Sequence, residues 1–255
     1  GEWSVNALAL AVLASAVLML LAGPYRTVDR MSKIIMISLT ITTVAAVAIA
    51  AGKGAAMQAD FVEPSPWNLA TLAFMVALMG WMPAPIEISA INSMWVAAKR
   101  KLESVSYADG LFDFNVGYIG TACLALVFLA LGALVQYGSG TPVQMGGGAY
   151  IGQLINMYAA TIGEWARWLV AFVAFACMYG TTITVIDGYS RTNMESLRLI
   201  TGGQHRSNRL LAVWIVLGAI AGLCVILFFK GAVLPMLKFA MIASFVSTPI
   251  FAWLN

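Results

Sequence analysis

Residues 77–93 read ALMGWMPAPIEISAINS, and this stretch decides how the chain folds. Pro83 and Pro85 each lack a backbone N–H, so each removes one hydrogen bond from the middle of an otherwise apolar helical run. Gly80, just upstream, adds backbone freedom. We therefore predict a helix that breaks near residues 80–85. Where the solvent is lipid, a broken backbone persists only if protein buries it or if it lines a cavity. The break therefore predicts a binding site, or else a simple proline kink of the kind common in membrane helices.

The composition around this stretch is that of a membrane protein. Of the 255 residues, 61% are hydrophobic and 10% are charged, whereas soluble domains average about 25% charged residues. A soluble core of this size could not bury so much apolar surface. The net charge is only +3, and the basic residues form short clusters between apolar runs. We therefore predict a lipid bilayer as partner and no nucleic acid.

Seven apolar runs are long enough to cross the hydrocarbon core as helices, which takes roughly 20 residues. They cover residues 4–22, 32–51, 68–96, 114–136, 165–189, 210–229 and 233–254. Because lipid offers the backbone no hydrogen-bond partners, only helices or closed barrels can span it, and these runs are too evenly apolar for barrel strands. The predicted class is an all-α transmembrane protein with seven spans, the third of them broken.

Basic residues predict the orientation. Ten of them lie on alternate connections: Arg26, Arg30, Lys33, Lys99, Arg100, Lys101, Arg191, Arg198, Arg206 and Arg209. Since cytoplasmic connections are enriched in Lys and Arg, we expect loops 23–33, 97–113 and 190–209 to be cytoplasmic.

The other connections carry little charge. Residues 137–148 are rich in glycine, which favours a flexible loop, and 149–163 predict an interfacial helix. Asp113 and Asn115 are expected to cap the fourth span.

The candidate site lies at the predicted break. Met82 offers a soft thioether that suits transition metals, although methionine also fills gaps in ordinary cores. Glu87 is an acid inside an apolar span, so it is a candidate cation ligand or proton carrier, or else a hydrogen-bonded structural residue. Ser89 and Asn92 follow it, and they either line the same ion pathway or join neighbouring helices.

Two further groups of residues belong to later spans. Asp187 and Arg191 stand four residues apart with the acid first, which predicts an ion pair with a structural or gating role. Ser247 lies beside Pro249, which either opens the last helix towards a cavity, adding Ser247 to the ion pathway, or simply kinks it.

The sequence shows no motif typical of an enzyme. It has no nucleophile–base pair, phosphate loop or metalloenzyme spacing. We therefore predict that the protein is not an enzyme and has no bound cofactor.

The residues at the break resemble those of a known transporter family. Met82-Pro83 is similar to the start of the Met-Pro-His-Asn break in helix six of the Nramp (natural-resistance-associated macrophage protein) divalent metal transporters. Gly23–Arg26 resembles the family's link between helices four and five. Phe112–Gly120 looks like its entry to helix seven, and Thr181–Arg191 is similar to helix eight of a divergent bacterial branch.

The resemblance implies a fold, a location and a function. The chain would be a single transporter domain, 1–255, comprising helices four to ten of a LeuT-type (APC-like) inverted-repeat fold, without the family's first three helices and its C-terminal end. It would lie in a bacterial inner membrane and transport a divalent metal ion such as Mn²⁺ or Fe²⁺, with Mg²⁺ as a further candidate. Met82 would bind the metal through its thioether and Met79 through its backbone carbonyl.

The sequence also departs from the family pattern. Ala84 and Pro85 replace the motif's His and Asn, residues 210–229 contain no arginine, and 233–254 contain no glutamine. Glu87 is an additional acid. These differences predict a branch with altered ion choice or altered proton coupling.

Two other functions remain open at this point. A transporter of amino acids or other organic solutes with the same fold would use freed backbone amides at the break to bind a carboxylate. A non-transporting membrane scaffold or channel subunit would pack without interruption through residues 80–85.

Overall fold

The protein is helical in the part of the chain that the computed structural model describes. That part comprises residues 4–22, 25–82, 85, 88–100, 104, 106–144, 147–203, 207–229 and 233–254. Within it the chain forms nine helices and no strand: α1 (Val5–Ala22), α2 (Tyr25–Lys53), α3 (Leu69–Trp81), α4 (Ile88–Lys99), α5 (Tyr107–Val135), α6 (Gly147–Ile162), α7 (Ala166–Ile200), α8 (Asn208–Phe228) and α9 (Val233–Leu254). The predicted all-α class is confirmed over these residues.

Several helices are suited to a bilayer by length and composition. Five of them in the described ranges are long and apolar enough to cross a membrane: Lys33–Lys53, Tyr107–Val135, Ala166–Ile200, Asn208–Phe228 and Pro235–Leu254. Asn6–Ala22 and Thr71–Trp81 are shorter apolar helices, and both fall in predicted spans. Helices of this kind are those of an integral membrane protein.

Helix α7 is longer than predicted. Its apolar run ends near residue 189, but the helix continues to Ile200 and has 35 residues, about 52 Å in length. Glu195 and Arg198 form an ion pair along the extension, and Gly202, at φ +67°, follows its end. The first part of the predicted loop 190–209 is therefore helical, because paired charges at helical spacing support a helix beyond its apolar segment.

Helix α5 begins earlier than predicted, so Asp113 and Asn115 lie inside the helix and do not cap it. The cap is Ser106, whose hydroxyl accepts a hydrogen bond from the backbone N–H of Asp109 (3.2 Å). The Asp109 carboxylate in turn accepts from the backbone N–H of Ser106 (3.0 Å). This reciprocal pair satisfies helix-end donors two turns before the predicted start.

The described chain divides into two compact units. The first contains residues 1–28, 67–115 and 181–255, and the second contains 29–66 and 116–180. In the first unit α1 packs on α8 and α3 packs on α9. Its apolar core includes Ile186 of α7 together with Ile215 and Ala219 of α8, against which the leucine and valine face of α1 packs.

The second unit has a core of apolar side chains from α2, α5, α6 and the first half of α7. The buried members are Ala46, Ala50, Leu131, Tyr158, Ala166 and Val170. The glycine-rich segment after α5 is held in place by Gln153 of α6, whose amide accepts from the backbone N–H of Gln144 (2.9 Å) and donates to the Pro142 carbonyl (3.0 Å). Helix α6 forms where the sequence predicts an interfacial helix.

Candidate functional site

The helix that the sequence predicts to be broken is interrupted. Helix α3 ends at Trp81, and Met82 follows with extended backbone angles, φ −108° and ψ 123°. Helix α4 begins at Ile88, whose N–H donates to the carbonyl of Pro85 (3.0 Å). The interruption therefore falls in the predicted region.

Two predicted site residues, Pro83 and Glu87, lie outside the described residues.

Met79 and Met82 lie at the C-terminal end of α3, next to the interruption. Their relative exposures are 60% and 45%, so neither is packed into the core of the first unit. In a continuous helix the Met79 carbonyl would accept from residue 83, but Pro83 has no N–H to donate. The end of α3 thus presents a thioether and a carbonyl without its α-helical hydrogen bond, which are the two donors assigned to the site by resemblance.

Gly80 belongs to the last turn of α3 and not to the interruption itself. It is buried against α9, where a Cβ built on it would lie 2.0 Å from the carbonyl oxygen of Met241 and 3.0 Å from the backbone nitrogen of Phe245. Ala77, one turn earlier, is also buried. The role of Gly80 in this structure is therefore to let two helix backbones approach closely, as small residues do in membrane bundles.

Ser247 lies on α9 beside the proline inside that helix. Its hydroxyl donates to the carbonyl of Ser244 (3.0 Å), and the hydroxyl of Thr248 donates to the same carbonyl (2.8 Å). Pro249 cannot donate to the carbonyl of Phe245, four residues earlier. Helices α3 and α9, which touch at Gly80, therefore each contain one carbonyl that has no helical N–H donor because a proline stands four residues later.

Helix α4 carries Ser89 and Asn92, both partly exposed. Ile91 on the same helix is 3% exposed and packs against Gly188 of α7, where a Cβ on the glycine would lie 2.6 Å from the Ile91 Cγ2 atom. At about 100° per residue, Ser89 lies about 160° around the helix from Ile91. The polar side of α4 at Ser89 is therefore turned away from α7.

The predicted ion pair is present, and a third residue joins it. Nε of Arg191 lies 2.9 Å from Oδ1 and 2.8 Å from Oδ2 of Asp187. The indole Nε1–H of Trp95 on α4 donates to Oδ2 of the same carboxylate (3.0 Å). The side chain of Asp187 is only 7% exposed, so its charge is largely removed from solvent and held by these donors.

Sequence reasoning did not find the part that Trp95 takes in this cluster. Nothing in the spacing of residues 95 and 187 indicates that they meet, because they lie on different helices and far apart in the chain. The Glu195–Arg198 pair was also missed, although its i,i+3 spacing was a usable signal.

Carboxylate, imidazole and thiol groups are not clustered in the described ranges, where no three His, Cys, Asp or Glu residues could together hold a metal ion. The thioether of Met82 and the backbone carbonyl of Met79 are metal ligands of other chemical types than these.

Taken together, the fold and the interrupted helix are those of a helical membrane protein with several apolar spans. The chain is 66% identical over 254 residues to the uncharacterized protein PM0681 of Pasteurella multocida (strain Pm70). That match covers 98% of this chain and 59% of the relative, so the chain spans about three fifths of the length of that relative. No protein-family model matches the chain, and no solved structure does.

Proposed function

We propose that this protein transports divalent metal cations across a membrane by alternating access, as a divergent member of the Nramp family. The observation that carries the proposal is the interruption between α3 and α4. A helix end at Trp81 and extended angles at Met82 leave polar backbone groups where the surrounding sequence is apolar. In membrane proteins such groups are tolerated where they line a cavity or bind a substrate.

The donors at the interruption favour a cation over an anion. The Met79 carbonyl lacks its helical donor because of Pro83, and carbonyl oxygens bind cations. Met82 adds a soft thioether, which favours Mn²⁺ or Fe²⁺ over Ca²⁺. In this proposal Glu87, Ser89, Asn92 and Ser247 line the ion's path. The buried pair Asp187–Arg191 belongs to the gate.

The proposed arrangement is a LeuT-type fold with seven spans. The five long helices supply five of them, α1 supplies another, and α3 with α4 forms the interrupted one. The protein would lie in a bacterial inner membrane, with the connection after α4 and the one between α7 and α8 in the cytoplasm. Lys99 and Arg100 at the end of α4, and Arg209 at the start of α8, support that orientation.

Uptake by the full-length protein in liposomes tests the proposal. We expect Mn²⁺ uptake by the wild type, and we expect Met82→Ala to raise the KM for Mn²⁺ about tenfold or more while weakening discrimination against Ca²⁺, because the thioether is the soft donor. Met75→Ala is the matched control, since Met75 is an exposed methionine on the same helix. Glu87→Gln should lower the rate of Mn²⁺ uptake.

Three results would count against the proposal. Unchanged Mn²⁺ kinetics in both Met82→Ala and Glu87→Gln would remove the site assignment. Uptake of an amino acid or another organic solute, with no effect of Mn²⁺, would favour the solute transporter with the same fold. Absence of any transport by the wild type would favour a membrane scaffold or channel subunit.

A further inference from the structure

The two halves of the interrupted helix are attached to different neighbours. Helix α3 lies on α9 through Gly80, which is so close to the Met241 carbonyl that a Cβ would be only 2.0 Å from its oxygen. Ala77, one turn earlier on α3, is also buried, at 4% exposed. A contact this close between backbones leaves little room for α3 to slide along α9.

Helix α4 is attached to α7 by one apolar and one polar contact. Ile91 fills the space above Gly188, and one turn later the indole N–H of Trp95 donates to the Asp187 carboxylate. These two residues are four apart, so they lie on the same side of α4. Helix α4 therefore contacts α7 along the side of α4 that faces away from Ser89.

Breaking the polar contact between α4 and α7 is energetically costly. Asp187 is largely buried, and its carboxylate is held by Arg191 on its own helix and by Trp95 on α4. If α4 separated from α7, a buried carboxylate would lose a hydrogen bond, and bonds to charged acceptors are among the stronger ones in proteins. Separation at this contact would therefore leave a largely buried carboxylate with one donor fewer.

We infer that Trp95 is a positioning residue that makes α4 move together with α7, while Gly80 makes α3 move together with α9. Relative motion of α7 and α9 then moves the two half-helices relative to one another. This inference rests on the proposed transport function, which requires the site at the interruption to open alternately to the two sides of the membrane. Trp95 lies outside both the proposed ion site and the ion's path, so its role is additional to theirs.

Distances between spin labels test the attachment directly, in full-length protein in which the native cysteines are replaced. One label pair joins Val96→Cys on α4 to Ile200→Cys at the end of α7, and the other joins Val96→Cys to Leu69→Cys at the start of α3. All three positions are exposed. We expect a narrow distribution for the α4–α7 pair that Mn²⁺ leaves unchanged, and a distribution for the α3–α4 pair that shifts with Mn²⁺.

Trp95→Phe should broaden the α4–α7 distribution, because phenylalanine has no N–H for Asp187. The population of the separated state should rise about tenfold or more, as expected for the loss of one hydrogen bond to a charged acceptor. Trp253→Phe is the control, since Trp253 is a largely exposed tryptophan near the end of α9. An α4–α7 distribution that Trp95→Phe leaves unchanged overturns the inference whether or not the protein transports metal.

Transport kinetics distinguish positioning from a general loss of structure. We expect Trp95→Phe to lower the maximal rate of Mn²⁺ uptake several-fold with little change in KM, because the site at Met82 is intact. Asp187→Asn should lower the rate as well, and the double variant should be no slower than the slower single variant, since both changes remove the same contact. Multiplicative losses, or a rise in KM alone, would contradict the role assigned to Trp95. If the wild type transports nothing, the proposed function fails, and the label distances still decide the attachment.

Discussion

At the scale of single residues, several buried polar groups of this protein are held by specific partners. In the second unit the hydroxyls of Thr43 on α2 and Tyr158 on α6 lie 2.9 Å apart, and both residues are almost fully buried. The Thr43 hydroxyl also donates to the carbonyl of Leu39 (2.8 Å), on its own helix. Burial raises the pKa of Tyr158 above its ordinary value of 10.0, and the hydrogen bond to Thr43 opposes that rise.

Removing the hydroxyl of Tyr158 should measurably lower the stability of the second unit. We expect Tyr158→Phe to lower the free energy of unfolding by about 1 kcal/mol, because Thr43 loses its partner in a buried site. Denaturant unfolding of the purified protein in detergent measures this. Tyr150→Phe is the control on the same helix, since Tyr150 is exposed and its loss should change little. Equal changes in the free energy of unfolding for the two substitutions would show that the buried hydrogen bond does not contribute more to stability than an exposed hydroxyl.

The same residue predicts a pH dependence with a definite sign. Because the folded pKa of Tyr158 is raised, its contribution to stability is fully present below the ordinary pKa. It is lost as the pH rises through the folded value. The wild type should therefore lose its advantage over Tyr158→Phe in strongly alkaline buffer, and the same unfolding measurement tests this.

At the scale of elements, the path of the third predicted span depends on glycine and proline acting in different ways. The prolines end the helical hydrogen-bond ladder, so α3 stops at Trp81 and α4 starts at Ile88. Gly80 lies inside α3 and permits its contact with α9. The end of α3 and its close contact with α9 therefore lie within a few residues of each other.

A methyl group at position 80 should disrupt this contact. Gly80→Ala would place its Cβ 2.0 Å from the Met241 carbonyl oxygen, so α3 and α9 must separate. We expect a loss of thermal stability corresponding to about 1–3 kcal/mol, as for overpacked cores, measured by size-exclusion chromatography after heating.

Gly218→Ala on α8 is the matched control for this change. Nothing lies within 4 Å of a Cβ at that position, and alanine favours a helix over glycine. It should be neutral or stabilising. A Gly80→Ala protein as stable as the wild type would show that α3 and α9 are not packed as described.

At the scale of the whole molecule, the proposed orientation in the membrane rests on charge. Lys99, Arg100 and Lys101 precede Ser104, whereas residues 137–148 carry no charge. In a bacterial inner membrane the first connection is therefore expected in the cytoplasm and the second outside. The length of α7, 35 residues, also requires that it extend beyond the hydrocarbon core, since about 20 residues cross it.

Labelling of single cysteines tests this orientation. In a version of the protein whose native cysteines are replaced, Thr141→Cys should react with a membrane-impermeant maleimide on intact cells. Ser104→Cys should react only after the cells are opened. Both positions are exposed, so failure to react would not come from burial within the protein. The reverse pattern would mean that the charge bias does not set the orientation.

Much of the architecture could be predicted from local rules. Each of the seven apolar runs is occupied by helix in the described structure, and the interruption follows from Pro83 and Pro85. The Asp187–Arg191 pair followed from its i,i+4 spacing. Local rules also erred at helix ends, because the Ser106–Asp109 cap and the polar extension of α7 lie outside the apolar patterns that marked the spans.

The sequence by itself determined that the described chain is helical, that its helices are apolar enough for a bilayer and that one helix cannot continue past its prolines. These properties depend on composition, on spacing along one helix and on a missing N–H, all of which are local. Only the tertiary structure decided that Gly80 touches α9 and that Trp95 reaches Asp187. Those contacts join residues far apart in the chain, and pairing between helices depends on how their surfaces fit, which no single stretch of sequence contains.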